Sequence, residues 1–338
     1  MTHSLAPVQL HGAAARRALL HAGALLVIGS ITPLINAGLS LGALYEVSWS
    51  HRTFHYAALI RLGVGIVVFF WLSWLVIART TLDRVSPRRR MLLRCAAVSC
   101  GAVSLYATDP DQSLGYVGTV ATGVAFAWLA VEVCRAHGIT LERPSPDKNR
   151  RRRHMETFTL TERVLNYCLA GGALAFLGVQ GLHVLDWEVL PVMEGSQLDN
   201  IGVTGPFHLL TGLVVVVAVE DVVIVAATAA LMRAAGRPLW QIYTTVCVVE
   251  VALHAYFGAP ALAMVFFAAG RLSIFLRHGR VVPLIIGHAF FDALGGLLMP
   301  LAFHYRLLAV LPVVIAIITI ETRLLKMPAE PSARGAAA

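Results

Sequence analysis

Ionisable residues occur within an almost entirely apolar stretch of this sequence. They are Glu220, Asp221, Glu250, His254, Arg271, His288 and Asp292. An ionisable side chain at the centre of a membrane helix costs roughly 2.5–3.5 kcal/mol by insertion assays. We therefore expect these side chains to face one another across a polar cavity rather than lipid, which makes them candidates for a functional site.

Two pairs of these residues have helical spacing. Glu250 precedes His254 by four residues, and His288 precedes Asp292 by four residues. Residues four apart lie on one face of an α-helix, so each pair can point in one direction. The spacing predicts that the two pairs come from two different helices and meet in one place.

A carboxylate and two imidazoles around one water molecule could hydrolyse an amide without a covalent intermediate. Glu220 could act as the general base on that water. His254 and His288 could orient the water or stabilise an oxyanion, and Asp292 could fix the tautomer of His288. Because neighbours on an α-helix point about 100° apart, we expect Asp221 to point away from the cavity if Glu220 points into it.

The composition is that of a membrane protein. The 338 residues are 57% hydrophobic and 14% charged, whereas soluble domains are about 25% charged. The net charge of +8 arises from arginines between apolar segments, which predicts membrane lipids and no nucleic acid as partners. The sequence therefore predicts an integral multi-pass protein, in the inner or plasma membrane if the source is bacterial.

Apolar length and flanking charge predict an all-α membrane bundle of about ten helices. The predicted spans cover residues 18–44, 56–78, 91–107, 115–134, 164–184, 206–232, 239–256, 260–277, 282–300 and 305–322. Basic and acidic segments alternate between the spans, which places both termini in the cytoplasm.

A polar, arginine-rich segment suggests a division of the chain. Residues 1–160 would hold four spans and a basic cytoplasmic loop, and residues 161–326 would hold a second bundle. The candidate site lies at about 206–300 in the second part. Residues 327–338, rich in Ala and Pro, are predicted to be a disordered tail.

From Glu220 to Asp292 the sequence resembles the CPBP family, which comprises CAAX proteases and bacteriocin-processing intramembrane endopeptidases. The usual pattern of that family is E-E-x-x-x-R, then F-x-x-x-H, then H-x-x-x-N or H-x-x-x-D. Glu220-Asp221 resembles the first motif, His254 ends the second, and His288 with Asp292 matches the third. His254 follows Glu220 by 34 residues, and His288 follows His254 by the same distance.

The sequence departs from this pattern at two positions. Val225 stands where the first motif has arginine, and Glu250 stands where the second has phenylalanine. Arg271 or Arg233 could supply the missing positive charge. A glutamate in the second motif is similar to the related PrsW-type proteases, whose pattern is E-E-x-x-K, F-x-x-x-E and H-x-x-x-D.

The resemblance implies a membrane-embedded, glutamic-type peptidase with no cofactor. Glu220 would be the catalytic base, His254 and His288 would hold the water or the oxyanion, and Asp292 would support His288. The supporting residues would be Asp221, Glu250 and Arg271. The substrate would be a peptide bond in a membrane-associated or prenylated peptide or protein.

Three other functions remain open for the same residues. A metal-dependent membrane hydrolase would use Glu220, His254 and His288 as zinc ligands. A non-catalytic scaffold or regulator derived from the family would account for the absence of arginine at Val225. A proton-coupled transporter also buries acids and histidines, although no inverted repeat relates the two halves of the sequence.

Overall fold

The computed structural model describes residues 8–83, 85–108, 113–144, 150–185, 203 and 205–298, together with residues 301, 305, 308 and 312. Nine helices follow one another in these ranges. They are α1 (Gly12–Leu44), α2 (His51–Leu82), α3 (Pro87–Ser104), α4 (Ser113–Ala136), α5 (Arg150–Val184), α6 (Pro206–Ala234), α7 (Leu239–Leu253), α8 (Met264–His278) and α9 (Val282–Leu298). Each overlaps one of the first nine predicted spans, and the all-α prediction is confirmed for the described residues.

Seven of the described helices are long and apolar enough to cross a membrane, when α8 is counted with the turn that precedes it. The other two, α7 and α9, are apolar but only 15 and 17 residues long. At 1.5 Å per residue α7 measures about 22 Å, less than the roughly 30 Å hydrocarbon core. The helices support a multi-pass membrane protein. The predicted tenth span and the tail at 327–338 lie outside the described residues, apart from isolated positions.

Helix α7 ends at Leu253, earlier than the predicted span. Two 3₁₀ turns follow, Ala255–Phe257 and Ala259–Ala263. Gly258 between them has φ +74°, a conformation that glycine adopts at no steric cost. Tyr256 and Phe257, which precede this glycine, are buried. The irregular backbone is therefore covered by protein, as a membrane setting requires.

Glycines bring α5 close to both α8 and α9. A Cβ atom added at Gly270 would lie 2.1 Å from Cγ of Tyr167, and one at Gly287 would lie 2.8 Å from the backbone oxygen of Thr161. Small residues allow such close approach between membrane helices. Each glycine immediately precedes a residue of the candidate site, so this packing sets the position of the site side chains.

The predicted division at residues 160 and 161 falls inside the continuous helix α5. Helices from the two sides of that boundary pack together. A Cβ atom at Gly29 of α1 would lie 3.0 Å from Val223 of α6, and one at Gly123 of α4 would lie 2.6 Å from the backbone oxygen of Val214. The N-terminal helices therefore pack against α6, which carries the first motif.

Helix ends that the charge pattern places on one side of the membrane contact each other. Arg79, near the end of α2, lies 2.7 Å from the carboxylate of Glu132, near the end of α4. Arg280, before α9, lies 2.9 Å from the carboxylate of Glu142, after α4. Both contacts are consistent with the predicted alternation of helix direction.

Candidate functional site

A buried arginine, Arg271 of α8, lies at the centre of the ionisable cluster. Nη1 donates a hydrogen bond to Oδ1 of Asp221 at 2.6 Å, and Nη2 donates one to Oε1 of Glu250. Nη2 also lies 3.5 Å from Oε2 of Glu220. Arg271 therefore links acidic residues of α6 and α7 from a third helix.

Arg271 is one of the two arginines suggested for the cation that the first motif lacks at Val225, and it contacts both acids of that motif. Val225 itself is fully buried. The alternative candidate, Arg233, donates instead to the backbone oxygen of Leu276 at 2.8 Å. Arg271 thus lies at a different place in the sequence from the arginine of the family pattern, but its positive charge contacts the acids of the first motif.

Both adjacent acids of α6 face the cluster, which the sequence did not lead us to expect. The centre of α6, Ala218–Ala227, is a π-helix. Its i→i+5 hydrogen bonds widen the turn, so successive side chains diverge less than on an α-helix. As a result Oδ2 of Asp221 lies 3.0 Å from Nδ1 of His288, and Oε2 of Glu220 lies 3.7 Å from Nε2 of the same ring.

His288 of α9 contacts acidic residues through both ring nitrogens. Nδ1 lies 3.0 Å from Oδ2 of Asp221 and 2.9 Å from Nη1 of Arg271. Nε2 lies 3.3 Å from Oδ2 of Asp292, one turn further along the helix. A proton on Nδ1 can be donated to Asp221, and this contact holds the ring with Nε2 facing Glu220 and Asp292.

His254 is the C-cap residue of α7, and its backbone N–H still donates to the backbone oxygen of Glu250, one turn earlier, at 3.3 Å. The four-residue pairing is therefore kept at the end of the helix, although the His254 ring does not bond to the Glu250 carboxylate. Its Nδ1 lies 2.9 Å from the backbone oxygen of Glu250, not from the carboxylate. Because a carbonyl oxygen only accepts, the proton of the neutral ring is on Nδ1 and Nε2 is left as an acceptor. The structure nevertheless brings His254 to the cluster.

A possible metal-ligand set exists, but it differs from the predicted one. One ring nitrogen of His254 and one carboxylate oxygen from each of Glu220 and Glu250 lie within 4.8 Å of one another. His288, which the sequence suggested as the third ligand, instead contacts Asp221 through Nδ1. Glu250 takes its place because α7 ends beside α6.

Phe267 belongs to the site and was missed by the sequence analysis. Its ring centroid lies 4.9 Å from that of His288 and 6.1 Å from that of His254. Cζ of Arg271 lies 3.9 Å from the same centroid, a cation–π contact. Phe267 thus contacts both imidazoles and the guanidinium. Its position four residues before Arg271 was the available signal, since such residues share a helix face.

The cluster has a sealed layer and a partly accessible layer. The side chains of Asp221, Glu250 and Arg271 have no exposed surface. The side chain of Glu220 is 11% exposed and that of Asp292 is 23% exposed. Another molecule would therefore reach the cluster from the side of Glu220 and Asp292.

Arg271 alone does not neutralise the acids around it. Glu220, Asp221 and Glu250 bring three carboxyl groups against one guanidinium. Oε2 of Glu220 and Oε2 of Glu250 are buried and accept no hydrogen bond from the described residues. Because buried charge without compensation is strongly unfavourable, the excess negative charge must be balanced by a protonated His288, which contacts Glu220 and Asp221, or by a proton on one carboxyl group.

Comparisons of the chain with protein-family models, with curated proteins and with solved structures found no match.

Proposed function

We propose that this chain is a membrane-embedded, glutamic-type endopeptidase, as its resemblance to the CPBP family implies. The observation that carries the proposal is the convergence of the three sequence motifs. Oε2 of Glu220 from the first motif lies 3.7 Å from Nε2 of His288 from the third. A ring nitrogen of His254 from the second lies within 4.8 Å of a Glu220 oxygen.

In the proposed reaction Glu220 removes a proton from a water molecule, and the resulting hydroxide adds to the carbonyl carbon of a peptide bond. His254 accepts a hydrogen bond from the water through Nε2 and orients it, and His288, when protonated on both ring nitrogens between Asp221 and Asp292, stabilises the tetrahedral oxyanion, an interaction that a site of low dielectric strengthens. Collapse of that intermediate breaks the C–N bond. The leaving amine takes the proton that Glu220 had accepted.

The sealed layer has a positioning role in this proposal. Asp221 holds the ring of His288, and Glu250 holds Arg271 in place. Arg271 in turn lies 3.5 Å from Glu220. Asp292 contacts Nε2 of His288 and keeps that nitrogen near Glu220, the proposed general base.

The position of the site favours a substrate that is itself in the membrane. Glu220 is the central residue of the 29-residue helix α6. At 1.5 Å per residue it lies about 20 Å from either end. The proposed substrate class is therefore a membrane-associated or prenylated peptide or protein.

We further propose that both termini and the basic segments between spans face the cytoplasm. In a cysteine-free variant, Ser48→Cys should then react with a membrane-impermeant maleimide added outside intact cells, whereas Arg89→Cys should react only after lysis. Both positions are exposed. The opposite pattern would reverse the orientation.

The function is tested with purified protein in lipid vesicles and a library of prenylated and unmodified fluorogenic peptides. Glu220→Gln and His288→Ala should each lower kcat by about 10²–10⁴, with unchanged thermal unfolding confirming that the variants fold. Glu156→Gln, an acid of α5 that contacts Arg280 at 3.6 Å, is the matched control. Wild-type protein that cleaves no peptide would favour the scaffold function, whereas full activity in both site variants would show that the site is misassigned.

A further inference from the structure

The exposed side chains of the site lie toward one end of the helix bundle. On α9 the side chain of Asp292 is 23% exposed, and that of His288, one turn earlier, is 2% exposed. On α6, which runs in the opposite direction, Glu220 is 11% exposed and the next residue, Asp221, has no exposed surface. In both helices the more exposed residue is farther from the end of the bundle where α6 ends and α9 begins. We call that end, which carries Arg79, Arg135, Arg233 and Arg280, the arginine-rich end.

The third helix of the site has the same gradient. The side chain of Glu250 on α7 has no exposed surface. His254, one turn farther from the arginine-rich end, is partly exposed. Three helices of different direction thus agree on the side from which the site is accessible.

The protein is closed between the site and the arginine-rich end. Leu284, one turn from His288 toward that end, is fully buried, and Phe275, one turn from Arg271, is 5% exposed. A Cβ atom at Gly287 would lie 2.8 Å from Cβ of Val164 on α5. Helices α5 and α9 therefore leave no passage at this level.

Polar contacts hold the arginine-rich end together below this apolar layer. Arg280 donates hydrogen bonds to Oε1 of Glu142 at 2.9 Å and to Oγ1 of Thr157 at 2.8 Å. Oε2 of Glu142 also accepts hydrogen bonds from the backbone N–H groups of Val281 and Val282. A path to the site from this end would require these contacts to separate.

The opposite end has a depression beside the site. Helices α7 and α8 form a hairpin, and a Cβ atom at Gly178 of α5 would lie 3.3 Å from Pro260 in the turns that connect them. Gly178 is six residues before the last residue of α5, or about 9 Å at 1.5 Å per residue, so the hairpin stops below the end of α5. His254 lies at the start of these turns, and the depression therefore extends to the site.

We propose that water and substrate reach the site through this depression, from the end of the bundle that carries the loop between α1 and α2. The direction of access follows from burial and helix length, and it does not depend on peptidase activity. With the orientation proposed above, this end faces away from the cytoplasm.

The direction of access narrows the substrate class, a step that rests on the proposed peptidase function. Prenylated proteins are modified in the cytoplasm and meet the membrane from that side, which is the closed side of the site. The favoured substrate is instead a membrane-anchored peptide segment whose scissile bond lies in the extracytoplasmic half of the bilayer.

Cysteine labelling tests the direction of access. In the cysteine-free variant Gly295→Cys lies three residues beyond Asp292, and a Cβ atom there meets no atom within 4 Å, so its thiol probes the path without replacing a site residue. Intact cells and inverted membrane vesicles are treated with a small cationic methanethiosulfonate that does not cross membranes. Because exposure controls thiol reactivity, we expect reaction from the face that labels Ser48→Cys to be at least about 10-fold faster than from the face that labels Arg89→Cys.

Two further variants control this experiment. Leu284→Cys, at a fully buried position of the same helix, should react slowly from both faces. Asp292→Cys probes the site itself, and thermal unfolding shows that each variant folds. Faster reaction of Gly295→Cys and Asp292→Cys from the Arg89 face overturns the proposal, as does slow reaction of both from the Ser48 face.

Two substrates separate the route of access from the function. One peptide sequence is joined either to a prenylated tail and added at the Arg89 face of reconstituted vesicles, or to a membrane anchor that presents it at the Ser48 face. We expect kcat/KM to be at least about 10-fold higher for the anchored peptide, and labelled Gly295→Cys should lose this cleavage. Preference for the prenylated peptide overturns the substrate class. Labelling as expected without cleavage of either peptide overturns the peptidase function and supports the access route alone.

Discussion

Arg271 of α8 and Asp221 of α6 form a fully buried ion pair, with 2.6 Å between Nη1 and Oδ1 and fifty residues between them in the sequence. A buried ion pair contributes little net stability relative to an apolar pair, but removal of one partner leaves an uncompensated charge. The pair therefore acts mainly by fixing where α8 meets the π-helical centre of α6. This contact also helps to fix Glu220, the residue immediately before Asp221.

Replacement of Arg271 by methionine should destabilise the protein. Glu250 and Asp221 would then lose their buried cation, and we expect a loss of about 3–5 kcal/mol. Thermal unfolding in detergent measures the effect. Arg237→Met, an exposed arginine after α6, is the control and should unfold like the wild type.

The partner residue allows a stricter form of this prediction. Asp221→Asn removes the opposite charge, so the double variant with Arg271→Met should lose less stability than the sum of the two single variants. Strictly additive losses would show that the two side chains do not act as a pair.

Gly270 should not tolerate a methyl group. A Cβ atom there would lie 2.1 Å from Cγ of Tyr167, so Gly270→Ala must push α8 away from α5. Overpacking of this kind costs about 1–3 kcal/mol, and the unfolding temperature should fall accordingly. Tyr167→Ala in the same chain should recover part of the loss by removing the clashing ring.

Gly295 provides the matched control on α9. A Cβ atom at Gly295 meets no atom within 4 Å, and alanine favours helix over glycine by about 1 kcal/mol. Gly295→Ala should therefore be neutral or stabilising. A similar decrease in both variants would show that the loss in Gly270→Ala does not come from its contact with α5.

The sequence was informative about which residues meet. Ionisable side chains are so unfavourable in lipid that Glu220, Arg271 and His288 were expected to face one another, and they lie 2.9–3.7 Å apart. The four-residue spacing of His288 and Asp292 also holds, because α9 is a regular helix through that segment. Burial cost and helical periodicity are local properties that a single sequence displays.

The sequence was less informative where tertiary packing overrides the local pattern. The π-helix of α6 changes the direction of the Asp221 side chain. No residue between Ala218 and Ala227 predicts a π-helix. The apolar run after Leu253 predicts a longer α7, yet the chain turns there beneath neighbouring helices. Both differences depend on contacts with distant segments, which composition and periodicity do not encode.

Glu142 should stabilise the start of α9 from another segment of the chain. Its Oε2 accepts hydrogen bonds from the backbone N–H groups of Val281 at 2.8 Å and Val282 at 3.0 Å, and its Oε1 accepts one from Arg280. Loss of such a cap costs about 0.5–2 kcal/mol. Glu142→Ala should therefore increase hydrogen exchange in the first turn of α9, measured by mass spectrometry, and Glu142→Gln should have a smaller effect.

Glu156 separates capping from charge in this experiment. It lies 3.6 Å from Nη1 of Arg280, but no backbone amide of α9 donates to it among the described contacts. Glu156→Gln should leave exchange at the start of α9 unchanged. Equal increases in Glu142→Ala and Glu156→Gln would assign the effect to the charge of Arg280 alone.

His137 should make the protein less stable in mild acid. Burial, followed by the neighbouring His21 and Arg17, lowers the pKa of His137 below its ordinary value of 6.5. As the pH falls below 6.5 the unfolded chain binds a proton that the folded chain resists, so stability decreases until the pH reaches the lowered pKa of the folded state. The unfolding temperature between pH 7.5 and 5 should therefore fall less steeply in His137→Gln than in the wild type. His51→Gln, at an exposed position, should keep the wild-type slope, and identical slopes in all three proteins would exclude His137 as the titrating group.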